Sequence, residues 1–249
     1  MKLTVIGSGS AGNCYVFEGR RSALILECGI APEKVFRSTE VKPSQVAGCL
    51  ISHEHGDHAK YARKFSDLGM TLYASSGTLT ALGLKDGPRC RTLQAMMPVW
   101  IGEWTVRPFE VIHDAQEPLG FIIEHPECGR ILFITDTRYV PYSFKAQGLD
   151  HIMVEANYSD DILDDNVLGD RLTLDRATRV RHTHMSLRSA CELVKANETA
   201  HLKTVILLHL SEGNSDAERF AREAAKSALL AKVYVASAGL PIELNKNAF

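Results

Sequence analysis

The segment ISHEHGDH, residues 51–58, places three histidines and two acids in the six positions from His53 to His58, directly after the apolar run VAGCLI. Imidazoles and carboxylates crowded this closely are costly unless a positive partner draws them together. A strand ending near Ser52 would deliver these side chains into a turn. His53 and His55, two apart, can point the same way in an extended turn, while Asp57 and His58 can point toward a second position. Gly56 permits the tight backbone such a turn needs. Neutral imidazole nitrogen and carboxylate oxygen are the donors that zinc, manganese and iron accept. A His-rich surface loop is the plain alternative, and the H-x-H-x-D-H spacing after a strand speaks against it.

Further along, His113 closes the run VIH, Asp136 follows FIT and His209 follows ILL. Each comes after an apolar strand-like run, where the edge of a sheet would present it. Any one of them alone would read as structural. Their order behind the first motif makes them candidate ligands.

The chain of 249 residues is long enough for one large domain, and its apolar and charged fractions are those of a globular protein. A net charge of −2 excludes a bulk polycation. No apolar run reaches the length of a membrane span. The start, MKLTVIGSGSAGN, moves straight into a strand and a glycine turn, so the expected location is cytoplasmic. The six cysteines are scattered without a C-x-x-C pair and read as reduced, buried thiols.

Short apolar runs (KLTVIG, NCYVFEG, SALILECG, VAGCLIS, TLYAS) predict strands, with a helix over DHAKYARKFSDLG ending at Gly69 and a short one over GTLTALGL. WTVRPFEVIH, LGFIIEH, RILFITD, HIMVEAN and TVILLHL predict a second batch of strands. Helices are expected over 187–197 and 215–230, the latter with Ser215 and Glu218 at capping-box spacing. KVYVASAG and PIEL close the chain as strands. The organisation implies an α+β fold, two sheets covered by helices, in a single domain over 1–249.

The order H-x-H-x-D-H, His, Asp, His resembles the metallo-β-lactamase superfamily over essentially the whole chain. The resemblance implies an αββα sandwich of two mixed β-sheets flanked by helices. It also implies two divalent metal ions, Zn2+ or Mn2+. His53, His55 and His113 would hold the first ion, Asp57, His58 and His209 the second, and Asp136 would bridge. Asp57 would also orient the bridging hydroxide, which would attack a phosphate. VEANYSD (154–160) and HTHMSL (182–187) resemble elements of the nuclease branch, as in RNase Z. There Glu155 would orient His184, and His184 would protonate the leaving oxygen. GSGSAGN (7–13), His113-Asp-Ala, Glu155-x-Asn157 and HLSEGN (209–214) are similar to the YycJ/WalJ-type exonucleases. That similarity implies a 5′-to-3′ DNA exonuclease whose partner is DNA with a 5′ end.

Ser8, Ser10, Asn13, Asn157, Arg179 and Ser211 are candidate phosphate contacts. Arg171, Arg176, Arg181 and Arg188 lie near the His184 element, but acids are interspersed among them, and a solvated helix face explains each as well. Glu27, in ECG, stands where the superfamily usually has Asp and must reach the metal-loop backbone differently. Tyr158 and Leu187 also depart from the family pattern. The interval from Asp136 to His209 has no room for a β-CASP insertion, and the intervals around His113 none for a long tRNA-gripping arm. His125, His151 and His201 lack companion groups and read as surface residues. Two other functions stay open: a small-molecule hydrolase (cyclic phosphodiesterase or thioesterase) on the same metals, and a non-catalytic nucleic-acid-binding module.

Overall fold

The N-terminal apolar runs become neighbouring strands in a computed structural model that describes residues 1–246. They are β1 (Lys2–Gly7), β2 (Cys14–Glu18) and β3 (Ala23–Leu26), joined antiparallel in that order. β2 and β3 are almost wholly buried, so their near-continuous hydrophobic sequence reflects cover on both faces. After α1 (Pro32–Ser38), β4 (Val46–Leu50) pairs parallel with β3. The turn from β4 leads into α2 (Gly56–Ala59) and α3 (Ala62–Asp67), then into β5 (Leu72–Ser75), α4 (Ser76–Ala81) and β6 (Cys90–Leu93).

The single helix expected over DHAKYARKFSDLG is two short ones. The Tyr61 N–H leaves the helical ladder to donate to Cys28 O at 2.9 Å, and the helix breaks there. Gly69 ends the second piece at φ +95°. β7 (Val99–Ile101), β8 (Trp104–Glu110) and β9 (Leu119–His125) form an antiparallel meander. β8 stops at Glu110, so His113 lies just beyond the strand and not within it.

Next come β10 (Gly129–Ile134) and β11 (His151–Glu155), then α5 (Asp160–Leu168), α6 (Leu174–Thr183), α7 (Leu187–Asn197), β12 (Thr204–Leu208), α8 (Ala217–Ser227), β13 (Lys232–Val235) and β14 (Pro241–Glu243). β10, β11, β12 and β13 pair parallel in that order, and every residue of β11 and β12 is buried. α7 packs on β11, and α8 packs on α7 and β13. α8 is capped by Asp216, whose side chain accepts from the Arg219 N–H at 2.9 Å. Ser215, expected as the cap, instead donates its hydroxyl to Ser211 O at 2.6 Å.

The chain divides into two compact units. One is Met1–Glu110 and Ala115–Gly129 with the segment from Ala236, and the other is Val111–Asp114 and Arg130–Val235. The first contains a mixed sheet in the order β14-β1-β2-β3-β4-β5-β6. Among the described residues no cysteine is in a disulfide, and all are buried except half-buried Cys191. No helix among them is long and apolar enough to cross a membrane. His125 and His151 are buried, correcting their reading as surface residues, and His201 is exposed. His125 lies against the Trp104 ring, centroids 4.3 Å apart, which gives its apolar edge a place in the core.

Candidate metal centre

In the first unit, the turn after β4 carries His53, His55, Asp57 and His58. The rings of His53 and His55 lie 4.7 Å apart, and those of His53 and His58 lie 4.2 Å apart. His53 Nδ1 is 2.9 Å from the Ser52 hydroxyl. His55 is the N-cap residue of α2, so Asp57 and His58 fall in its first turn. The turn is held from behind. Asn13 is fully buried and donates its backbone N–H to Asp57 O at 2.7 Å, while its side-chain amide lies 3.1 Å from His58 Nε2. Cys28 N–H donates to His58 O at 2.6 Å. A Cβ on Gly29 would overlap Asp57 O, so only glycine allows that approach.

Glu27 completes this support. It is fully buried at φ +67°, just past β3. Its two carboxylate oxygens are 3.3 and 3.4 Å from the Ser52 N–H, and Oε2 is 3.5 Å from His58 Nδ1. The expectation that Glu27 must reach the metal-loop backbone is met through Ser52. A carboxylate facing Nδ1 favours the tautomer whose Nε2 carries the lone pair.

In the second unit, His113, Asp136, Glu155, His184 and His209 converge. Asp136 follows β10 at φ +35° and His209 follows β12 at φ +53°, both buried. Left-handed backbone at a non-glycine residue is strained, and here it turns both side chains out at the strand ends. Asp136, Glu155, His184 and His209 each offer a ligand atom within 4.8 Å of the others. His113 Nδ1 lies 2.8 Å from Thr183 O and so donates to it, which leaves Nε2 basic, 3.7 Å from Asp136 Oδ2. Burial lowers the His113 pKa despite the nearby Asp136.

Glu155 is the hub. Oε1 lies 2.6 Å from His184 Nδ1, and Oε2 accepts the N–H of Met185 at 3.0 Å and of Thr137 at 3.2 Å. Burial alone would raise its pKa, but the charge and hydrogen bond of His184 hold it below the ordinary value. Burial also opposes charge on His184, yet Glu155 and then Asp136 raise its pKa. His184 follows α6 in extended conformation, its ring stacked on His209 with centroids 5.5 Å apart. Its side chain is 20% exposed, enough to meet a ligand.

The remaining candidates fall in varied surroundings. Asn157 donates its side-chain amide to His209 O at 2.9 Å and lies 3.1 Å from His209 Nδ1, so it positions that ring. The Ser8 hydroxyl is 2.7 Å from the Tyr15 hydroxyl, and Ser10 is exposed. Ser211 accepts from Asn214 at 3.2 Å. Arg179 is exposed and pairs with Asp114 at 2.8 Å. Tyr158 is buried, its phenol pushed up to about 12 chiefly by that burial, and its carbonyl accepts the Leu187 N–H at 2.7 Å at the start of α7. Tyr158 and Leu187, expected to depart from the family pattern, therefore meet where the chain after β11 touches the start of α7. Gly29 and Thr137 support the site although no local motif marks them, and Asn13, read from its motif as a phosphate contact, is fully buried against Asp57 and His58.

The donors in both units are imidazole nitrogens and carboxylate oxygens, mostly buried, which fits a divalent ion such as zinc or manganese. The profile of the beta-lactamase superfamily domain matches residues 30–210. The chain is 27% identical over 229 residues to the exodeoxyribonuclease WalJ of Streptococcus pneumoniae (strain D39), covering 86% of this chain and 83% of that protein. It is 30% identical over 176 residues to the exodeoxyribonuclease YycJ of Bacillus anthracis, covering 66% and 65%. The metallo-beta-lactamase fold protein YhfI of Bacillus subtilis superposes with a TM-score of 0.75 at 19% identity, over 97% of this chain and 98% of that one. That likeness gives the fold: two mixed β-sheets flanked by helices.

Proposed function

Since the chain belongs to the beta-lactamase superfamily, we propose that it is a metal-dependent phosphodiesterase acting on nucleic acid, specifically a 5′-to-3′ DNA exonuclease. The observation that carries this reading is the 2.6 Å contact between Glu155 and His184, set in one cluster with Asp136 and His209. The names of the exodeoxyribonuclease relatives support the choice of DNA. The reading takes the 249 residues as one catalytic domain.

His53, His55 and His113 would hold one divalent ion, and Asp57, His58 and His209 the other, with Asp136 shared. When bound, such a pair activates water and neutralises the oxygens of a phosphodiester. The protein's own groups then have distinct tasks. Glu27 and Asn13 fix His58, and Asn157 fixes His209. Asp57, on the first turn of α2, would accept a hydrogen bond from the attacking water and aim it. His184 commits Nδ1 to Glu155, which leaves Nε2 as the nitrogen that delivers a proton to the leaving oxygen. An alkoxide is a poor leaving group, so that proton matters most as the P–O bond breaks.

The test is to incubate zinc- or manganese-loaded protein with 5′-phosphorylated single-stranded and duplex DNA and to follow mononucleotide release. Release from the 5′ end is the expected result. No release with either metal would sink the reading.

A further inference from the structure

The residues that follow Asp136 form a feature that the chemistry above does not use. Thr137 is fully buried and donates its N–H to Glu155 Oε2. Its hydroxyl lies 3.0 Å from both Ile112 O and Tyr139 O, and it also accepts the Ile112 N–H at 3.0 Å. Arg138 N–H donates to Ile112 O at 3.2 Å. One buried threonine thus ties residues 112 and 139 to each other and to the carboxylate that holds His184.

The side chains carried by this anchored backbone face water. Ile112 is 54% exposed and Tyr139 is 57% exposed. Arg138 is exposed between Thr137 and Tyr139, with Nη1 3.4 Å from His182 Nδ1. Two large side chains held in water on backbone tied by one buried threonine, beside the His184 element, offer an apolar face to a ligand. Tyr139 lies three positions after Asp136, a span of at most about 11 Å. An aromatic ring and a guanidinium on successive residues suit an unpaired nucleobase and its phosphate: the ring takes the base face and the cation takes the charge. The positive charge of Arg138 complements an anionic strand.

We propose that Tyr139, with Ile112 held beside it and Arg138 alongside, is the platform on which the terminal unpaired nucleobase of a DNA strand stacks. The proposal rests on the reading of the site as a nuclease and adds a substrate class to it: single-stranded or frayed ends over blunt duplex. Stacking is indifferent to base identity, so the platform favours unpaired ends without imposing a sequence.

The experiment compares wild type, Tyr139→Ala and Tyr139→Phe in the metal-loaded protein. KM and kcat are measured on a 5′-phosphorylated single-stranded oligonucleotide, and turnover on bis(p-nitrophenyl) phosphate, which has no nucleobase. The Kd for a phosphorothioate-linked oligothymidylate, by fluorescence anisotropy, reads the platform even without cleavage. Tyr139→Ala is expected to raise KM and Kd about tenfold, the loss of one stacked base. Bis(p-nitrophenyl) phosphate turnover stays at the wild-type level, and Tyr139→Phe restores the oligonucleotide values. Unchanged KM and Kd in Tyr139→Ala would overturn the proposal, as would an equal loss on the nucleobase-free ester. Absence of DNA cleavage by wild type would count against the proposed function, whereas an unaffected Kd in Tyr139→Ala counts against the platform alone.

Discussion

Glu155 Oε1 lies 2.6 Å from His184 Nδ1, and the other oxygen of the same carboxylate takes the backbone N–H of Met185, the next residue. The carboxylate therefore fixes both the ring and the chain that carries it, so Nε2 is the nitrogen that would transfer a proton in the proposed reaction. His184→Ala is expected to lower kcat on DNA by roughly 10²–10⁴, the usual contribution of a general acid. On a p-nitrophenyl phosphodiester, whose leaving group needs no proton, the loss should be far smaller. Glu155→Gln should cost about 10–100-fold through loss of positioning. Steady-state kinetics on both substrates, with metal content measured for each variant, check this. An equal loss on both esters would remove the proton-donor role.

Gly29 sits where the backbone of the turn after β4 presses closest, against Asp57 O. Gly29→Ala must push Asp57 away from Asn13, whose N–H donates to that same carbonyl at 2.7 Å. The expected cost is about 1–3 kcal/mol of stability, the range for overpacking, together with reduced metal content. Denaturant unfolding and elemental analysis measure the two. Ser10→Ala, at an exposed position of the neighbouring turn, should stay within about 0.5 kcal/mol of wild type.

Four ligand candidates were legible because they crowd one turn after an apolar run, and His113, Asp136 and His209 because each directly follows such a run, local patterns that survive without knowledge of the fold. Most strands were legible for the same reason. The supports were hidden because they act between residues far apart in sequence: Asn13 on Asp57, Asn157 on His209, Thr137 on Glu155. The break between α2 and α3 was equally hidden, since it depends on Cys28 O drawing off the Tyr61 N–H. His125 was misread because nothing near it in sequence announces that Trp104 covers it. Polarity alone cannot distinguish a histidine at the surface from one stacked on a core aromatic.

Glu27 is held in left-handed backbone, and its carboxylate faces Ser52 N–H and His58 Nδ1. A charge facing Nδ1 makes Nε2 a better donor, so Glu27 would tune the proposed ligand His58 without being one. Glu27→Gln keeps the size of the side chain and removes the charge. It is expected to weaken metal affinity about 10–100-fold, while activity at saturating metal falls much less. Competition with a chelator of known affinity measures the first, and activity against metal concentration the second. Wild-type affinity in the variant would show that the Ser52 contact is all that Glu27 provides.

His125 makes the stability of the first unit depend on pH in a direction its surroundings fix. Burial lowers its pKa, and Glu127 and Glu103 oppose that shift less strongly than burial imposes it, while the N-terminal amine adds to it. Its Nδ1 accepts the Glu127 N–H at 3.2 Å, a role only the neutral tautomer fills. The folded pKa lies below that of the unfolded chain, near 6.5, so the unfolded state binds more protons in the window between the two. The contribution is complete above about pH 6.5 and is lost as pH falls through the folded pKa. His125→Phe keeps a ring against Trp104 and removes the titration. Urea unfolding of the metal-free protein at pH 7.5, 6.5 and 5.5 should show the wild-type advantage over the variant shrinking as pH falls. The slope should be at most about 1.4 kcal/mol per pH unit. A constant difference across that range would mean that His125 is protonated equally in the folded and unfolded chains.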